Sequence, residues 1–313
     1  MAAILLIGQA RFGLAVLEGL LRAGHEITAV SVAPRGKGVA TDPLKARARE
    51  SGLRIVERSS YRDPEAQAAL GAGRADLAVM AFATQIIPVE VLDAPALASV
   101  CFHPSMLPRY RGGAAINWQL INGQTRGGIT IFRPDQGIDA GPVYLQQEIE
   151  IGPDDSAGSY YYGRVFEPGV ALTLGAVELL VSGRARALPQ DESLASHDPL
   201  CRDEHATIDW QRGCVELHNL VRGCDPGPGA HTLWQGNRLR LYGSRRTGAE
   251  VTAAAGPGTV LAIGSQGIEV ATADGSLLFA KMRADGGDRP GARAAAAEVA
   301  QACGLKAGCC LGG

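Results

Sequence analysis

The chain opens with AAILLIG, an apolar run that stops at a glycine. FGLAVLEGLLRAGHE follows, with apolar residues at helical spacing, and then ITAVSVA, a second apolar run closed by Pro34. Runs of these periods predict strand, helix and strand in turn. Such a unit admits few outcomes, because two parallel strands joined by a helix need a right-handed crossover and a sheet covered on both faces. LRIVE adds a short third strand, and ADLAVMAFA reads as a strand buried on both faces, as at the centre of a parallel sheet. The expected fold class is α/β, an open parallel sheet with helices on both faces.

Gly8 and Gly13 in GQARFG invite comparison with a dinucleotide-binding loop. The spacing is not G-x-G-x-x-G, and only Glu26 approximates the acidic residue expected downstream. The glycines read instead as a strand end and as a point where the first helix packs closely on the sheet.

Further along, AAINWQLING predicts a short helix stopped at Asn122-Gly123, GGITIFRP and PVYLQQEIEI predict strands, and DQGIDAG is the loop between them. GVALTLGAVELLVSG predicts a long helix ending at Gly183. The polar, proline-punctuated stretch after it reads as a linker. At 313 residues the chain has room for about two domains, and we place them at 1–183 and 206–313, with a linker at 184–205. The second part carries one helix, GCVELHNLVRGCD, then short strands between Gly-rich turns, the pattern of a small β-barrel, and an alanine-rich closing helix stopped at Gly304.

Thirty basic and thirty-two acidic side chains leave a net charge of −2, so no global field draws the protein to nucleic acid or to an anionic membrane. The Arg109/Arg111 and Arg245/Arg246 pairs read as solvated surface. Seven cysteines, an odd number with no C-x-x-C spacing, argue for a reducing compartment and against a metal site. The first residues lack a basic segment and a signal-length apolar run, and no stretch has the length of a membrane span. A cytoplasmic protein is expected.

His103 lies in CFHPSMLPRYRGG, after the apolar LASVCF, where a strand-end loop of an open α/β sheet places ligand-binding groups. Pro104 and Pro108 restrict the backbone beside it. A satisfied structural histidine is an equal reading of these residues alone. Asp139, in GIDAG, is flanked by small residues that leave its carboxylate accessible, although a turn aspartate bonding its own backbone has the same look. A histidine and an aspartate on adjacent loops can divide proton donation and acceptance, as required when an amide-like bond is attacked and its nitrogen must leave.

Together these stretches resemble the folate-dependent formyltransferase family, and within it the amino-terminal hydrolase domain of 10-formyltetrahydrofolate dehydrogenases. The resemblance rests on IGQARFG, DPL (42–44), FATQIIPVEVLDAP (82–95), HPSMLPRYRGG (from 103), AINW (115–118), GIDAG (137–141), IDW (208–210) and HNLVRGCDPGPGA (218–230). It implies a Rossmann-like domain followed by a small OB-like β-barrel, with 10-formyltetrahydrofolate as formyl donor and no metal. His103 takes the place of the catalytic histidine and Asp139 that of the essential aspartate, while Gln85, Ile86, Ile87 and Pro88 occupy the pterin-contacting segment. Transferases of this kind carry an asparagine two residues before the histidine, where this chain has Cys101, a poorer hydrogen-bond donor. The hydrolase domain also lacks asparagine there. The resemblance therefore implies removal of the N10 formyl group by water. Cys101, grouped with the catalytic residues, reads first as a small half-buried residue beside the loop, next as one that opens the site to water, and last as a thiolate that accepts the formyl group. The alternative to water is transfer to an amine of a small metabolite, a sugar nucleotide or a peptide-like precursor, and less readily to methionyl-tRNA. A non-catalytic folate-binding protein would not need both His103 and Asp139.

Overall fold

A computed structural model describes residues 1–36, 38–71, 74–247, 255–285 and 293–312. The chain divides into two compact units, each built from separated stretches: Met1–Gly113 with Gly128–Ile149 and Arg164–Asp198, and Ala114–Gly127 with Glu150–Gly163 and Pro199–Gly313.

In the first unit the chain runs β1 (Ala3–Gly8), α1 (Ala10–Arg22), β2 (Glu26–Val32), α2 (Pro43–Glu50), β3 (Ile55–Glu57), α3 (Pro64–Leu70), β4 (Leu77–Ala81), α4 (Val89–Leu92) and β5 (Ala98–His103). α5 (Ala115–Ile121) belongs to the second unit, after which β6 (Arg126–Phe132) and β7 (Val143–Glu150) complete a seven-stranded sheet of order β3-β2-β1-β4-β5-β6-β7. The strands from β1 to β5 are parallel, as the alternating strand and helix pattern requires, but β6 runs antiparallel to β5, pairing Cys101 with Phe132 and His103 with Thr130. The sheet is thus mostly, not wholly, parallel.

The opening glycines act through close packing. A Cβ on Gly8 would lie 2.2 Å from the carbonyl oxygen of Ala81 on β4, and one on Gly13 would lie 2.8 Å from Leu44. DPL is structural as well. The buried Asp42 carboxylate caps α2 by accepting from the Leu44 N–H (2.9 Å), and it also accepts from the Ala10 N–H at the start of α1 (2.9 Å). Along β5, alternation sends Phe102 to one face, where it packs on Phe12 with ring centroids 4.2 Å apart and against Gly169 of α7 (Phe166–Val181). Cys101 and His103 consequently share the other face.

The second unit adds α6 (Ala157–Tyr160) and α8 (Cys214–Gly223). Its sheet holds β8 (Ala230–Trp234), β9 (Asn237–Arg246), β10 (Val260–Gly264), β11 (Gly267–Ala271), β12 (Ser276–Asp285) and β13 (Ala294–Ala295), in the order β10-β11-β12-β9-β8 with β13 beside β12. α9 (Ala296–Ala302) follows, stopped by Gly304 at φ +68°. The sheet curls toward closure through the chain's last residues. The Gly308 and Leu311 N–H groups donate to the Val260 and Gly258 carbonyls, Val260 donates to Cys309, and Gly312 donates to Leu233 of β8. The IDW stretch is core here: Ile208 and Trp210 are buried, and Trp210 Nε1 donates to Thr232 Oγ1 at 3.0 Å. Trp234 likewise packs on this core and donates to the Cys303 carbonyl.

Candidate active site

His103 is the last residue of β5 and is 5% exposed. The loop after it is pinned from several sides. Ser105 Oγ donates to the Arg109 carbonyl, Thr130 Oγ1 donates to the Ser105 carbonyl, and Gln146 Nε2 donates to the Leu107 carbonyl, each at 2.7 Å. The chain then turns through Tyr110 at φ +60° and Gly112 at φ +102°. That turn brings the Tyr110 carbonyl 2.8 Å from His103 Nε2, so Nε2 must carry a hydrogen and donate it.

The other ring nitrogen, Nδ1, lies 3.4 Å from Asp139 Oδ2. Asp139 comes from the loop after β6, which leaves the sheet beside Cys101. Its backbone is in the left-handed region at φ +53°, a conformation that costs a non-glycine residue energy and persists only where the surroundings impose it. The Gly112 N–H donates to Oδ2 at 2.8 Å. Behind the loop, Gly141 lies so close to the Arg133 carbonyl oxygen that a Cβ would meet it at 1.8 Å.

Burial pushes the His103 imidazole below its usual value, while Asp139 and the Tyr110 carbonyl pull the other way. Burial dominates, because both faces of β5 are covered, and the ring is neutral near neutral pH. With its hydrogen on Nε2, it presents a lone pair at Nδ1 toward the carboxylate. The pair can therefore receive one proton between them, and this is the arrangement of a base that later becomes an acid. Burial, then Asp139, pushes the Cys101 thiol well up, so it stays protonated.

A cavity of about 430 Å³ in the first unit is walled by Gln85, Ile86, Ile87, Pro88, Cys101 and Asp139, with Leu92 and Phe132 among its apolar surfaces. Six of the seven residues singled out in the sequence thus share one cavity, and His103 stands behind Asp139. Gln85 donates through Nε2 to the Arg58 carbonyl, and Ile86 is 73% exposed, offering a loose apolar face. A larger cavity of about 710 Å³ in the second unit has Arg245 and Arg246 offset by Asp154 and Asp274. Asp154 at its wall lies 3.6 Å from His218 Nε2, but that nitrogen already bonds the Pro153 carbonyl, so no imidazole lone pair faces the carboxylate there.

Sequence reading missed the supports behind the pair. Arg111, read as solvated surface, is buried. Its guanidinium bonds Gln190 and Glu192, because the turn at Tyr110 and Gly112 throws the side chain inward. Gln190 Nε2 donates to the carbonyls of Asp139 (2.8 Å) and Gly141 (2.7 Å). No local pattern marks these residues, since their partners lie dozens of positions away.

Residues 2–175 match the formyl transferase family, and residues 201–298 match the formyl transferase C-terminal domain. The chain belongs to the formyl transferase family. Members of this family are enzymes, and they work with a formyl-tetrahydrofolate. The chain is 38% identical over 249 residues to the cytosolic 10-formyltetrahydrofolate dehydrogenase of Xenopus laevis, covering 78% of this chain but only 28% of that protein. It is 37% identical over 281 residues to the methionyl-tRNA formyltransferase of Syntrophus aciditrophicus (strain SB), covering 88% and 89% of the two chains. Among solved structures, HypX from Aquifex aeolicus in complex with tetrahydrofolic acid shares the fold with a TM-score of 0.68 at 21% identity, over 98% of this chain and 48% of that one. Against the first of these formyl transferase relatives, the chain spans little more than a quarter of the full length.

Proposed function

We propose that this chain removes the formyl group from N10 of 10-formyltetrahydrofolate and releases tetrahydrofolate, with water as the preferred acceptor and formate as the product. The observation that carries this reading is the approach of His103 Nδ1 to Asp139 Oδ2, 3.4 Å, at the wall of a cavity that also holds Cys101. The cavity suits the donor. Its apolar faces fit a flat heteroaromatic ring, and the irregular backbone around Gln85, Ile86, Ile87 and Pro88 offers amide and carbonyl groups to the ring's edge.

In this mechanism the Asp139 carboxylate takes a proton from water as the water oxygen bonds to the formyl carbon. The proton is shared between the Asp139 carboxyl and His103 Nδ1 behind it, and it is held there until the leaving nitrogen takes it. The C–N10 bond breaks, its electron pair stays on nitrogen, and the same proton joins N10. The remaining acid proton of the product goes to solvent, leaving formate. Cys101 stays a thiol throughout. It replaces the carboxamide of the resembling transferases with a smaller, weaker donor, which leaves room for water. Catalysis is assigned to residues 1–183, with 184–205 as linker and 206–313 as the accompanying β-barrel domain, in a cytoplasmic protein.

Transfer to an amine is the second reading, favoured by the likeness to the Syntrophus methionyl-tRNA formyltransferase along most of both chains. The same proton route serves an amine in place of water. The test is release of tetrahydrofolate from 10-formyltetrahydrofolate with no acceptor added, with formate assayed in parallel. Stoichiometric formate over many turnovers is the expected result. Tight folate binding without turnover would overturn hydrolysis in favour of an amine acceptor.

A further inference from the structure

The polar composition of residues 184–205 reads as a linker, yet residues 188–197 bond along the back of the proposed catalytic pair. Leu188 exchanges both backbone hydrogen bonds with Val143 (2.7 and 2.9 Å). Gln190 has four strong hydrogen-bonding valences, and all four are used. Both N–H bonds of Nε2 go to the Asp139 and Gly141 carbonyls, and Oε1 accepts from Arg111 Nε (3.2 Å) and Nη2 (2.7 Å). The Ser196 Oγ accepts from the Tyr110 N–H (2.7 Å), the Ser196 carbonyl accepts from the Arg111 N–H (2.9 Å), and the Ser196 N–H donates to Pro108. The Tyr110 carbonyl is the group that fixes His103.

We propose that this segment is a splint for the pair and that Gln190 is a positioning residue for Asp139. The inference rests on the catalytic reading given above. Asp139 sits in a costly backbone region, and the groups that hold it there are the Gly112 N–H at its carboxylate and Gln190 at its carbonyl. Without the two amide donors, the GIDAG loop has an exit from φ +53°, and the carboxylate moves away from Nδ1. A displacement of about 1 Å at a catalytic group costs on the order of 100-fold in rate.

The test uses the full chain with Gln190→Ala and Gln190→Glu. The glutamate keeps the acceptor for Arg111 and loses both donors to the loop, so it separates the two halves of the network. Two quantities are read. The first is kcat and KM for tetrahydrofolate release, where both variants are expected to lower kcat about 10- to 100-fold and to leave KM within about twofold. The second is the His103 titration, followed by NMR in protein with ¹³C-labelled histidine. As Asp139 retreats, the apparent His103 pKa should fall by about half a unit or more, with His218 unmoved. The titration is read on the free protein, so it stands whichever acceptor proves correct. A wild-type His103 titration in both variants would overturn the proposal, as would Gln190→Glu with wild-type kcat. Full turnover in an Asp139→Ala control would instead overturn the catalytic reading, and the role given to Gln190 with it.

Discussion

Two buried histidines, one in each unit, divide what burial does from what a partner does. His218, on α8, is 3% exposed, and both of its ring nitrogens meet neutral groups. Nε2 donates to the Pro153 carbonyl (3.0 Å), and Nδ1 accepts from Ser244 Oγ (2.9 Å). The Asp154 carboxylate, 3.6 Å from Nε2, is largely in solvent. His103 is as buried and is likewise pushed down by burial, but its Nδ1 faces a carboxylate at a cavity wall. The lesson is that a depressed imidazole marks only a covered one. What distinguishes a working histidine is a second nitrogen left to a group that can itself take a proton.

That contrast can be broken most sharply by exchanging the residues for alanine. His103→Ala or Asp139→Ala should lower tetrahydrofolate release per folded molecule by about 1,000-fold or more, whatever the shift in the denaturant midpoint. His218→Ala should act on stability instead. It orphans Ser244 and the Pro153 carbonyl inside the second unit, so urea unfolding should show a loss of about 1–3 kcal/mol. Turnover per folded molecule should stay at the wild-type level, and a large fall in kcat would erase the distinction.

Smaller effects sharpen it. Both histidines are held below the free value of about 6.5 in the folded chain, so the unfolded chain takes up protons first as pH falls. Their contribution to stability is whole above about pH 6.5 and is lost progressively below it. His218→Ala should flatten the acid limb of stability against pH. The acid limb of kcat/KM should persist in that variant, because it belongs to the His103–Asp139 pair, and it should lie below pH 6.5. The smallest effect is expected at Cys101. Its thiol is held protonated by burial and by Asp139, so Cys101→Ala should change kcat by less than about threefold. A loss of 100-fold or more would point to chemistry at sulfur.

Local pattern disclosed the strand and helix alternation, because AILLIG and LAVMA are apolar throughout and α1 keeps its helical stripe. His103, Asp139 and the Gln85–Pro88 stretch were legible through motifs, and the cavity gathers all of these but His103. Direction and distance were not legible. Nothing in GGITIFRP tells an antiparallel neighbour of β5 from a parallel one, since both bury the same residues. Arg111 looks like surface because its partners at 190 and 192 lie about 80 positions ahead, and only the folded turn discloses them. The division into units was hidden for the same reason. α5 lies early in the chain yet joins the second unit, with Asn117 Nδ2 donating to the Gly223 and Gly227 carbonyls.

The way the last residues close the second sheet bears on how the protein must be handled. Residues 308–312 occupy the outer edge beside Val260 and reach Leu233, while Ala206 and Ile208 cover the edge of β8 through His231. Trimming those five residues would bare a row of backbone donors and acceptors, the template on which strands from separate molecules add to one another. The same row also makes the tail a poor place to graft a label. Loss of colloidal solubility on trimming would announce the bared edge.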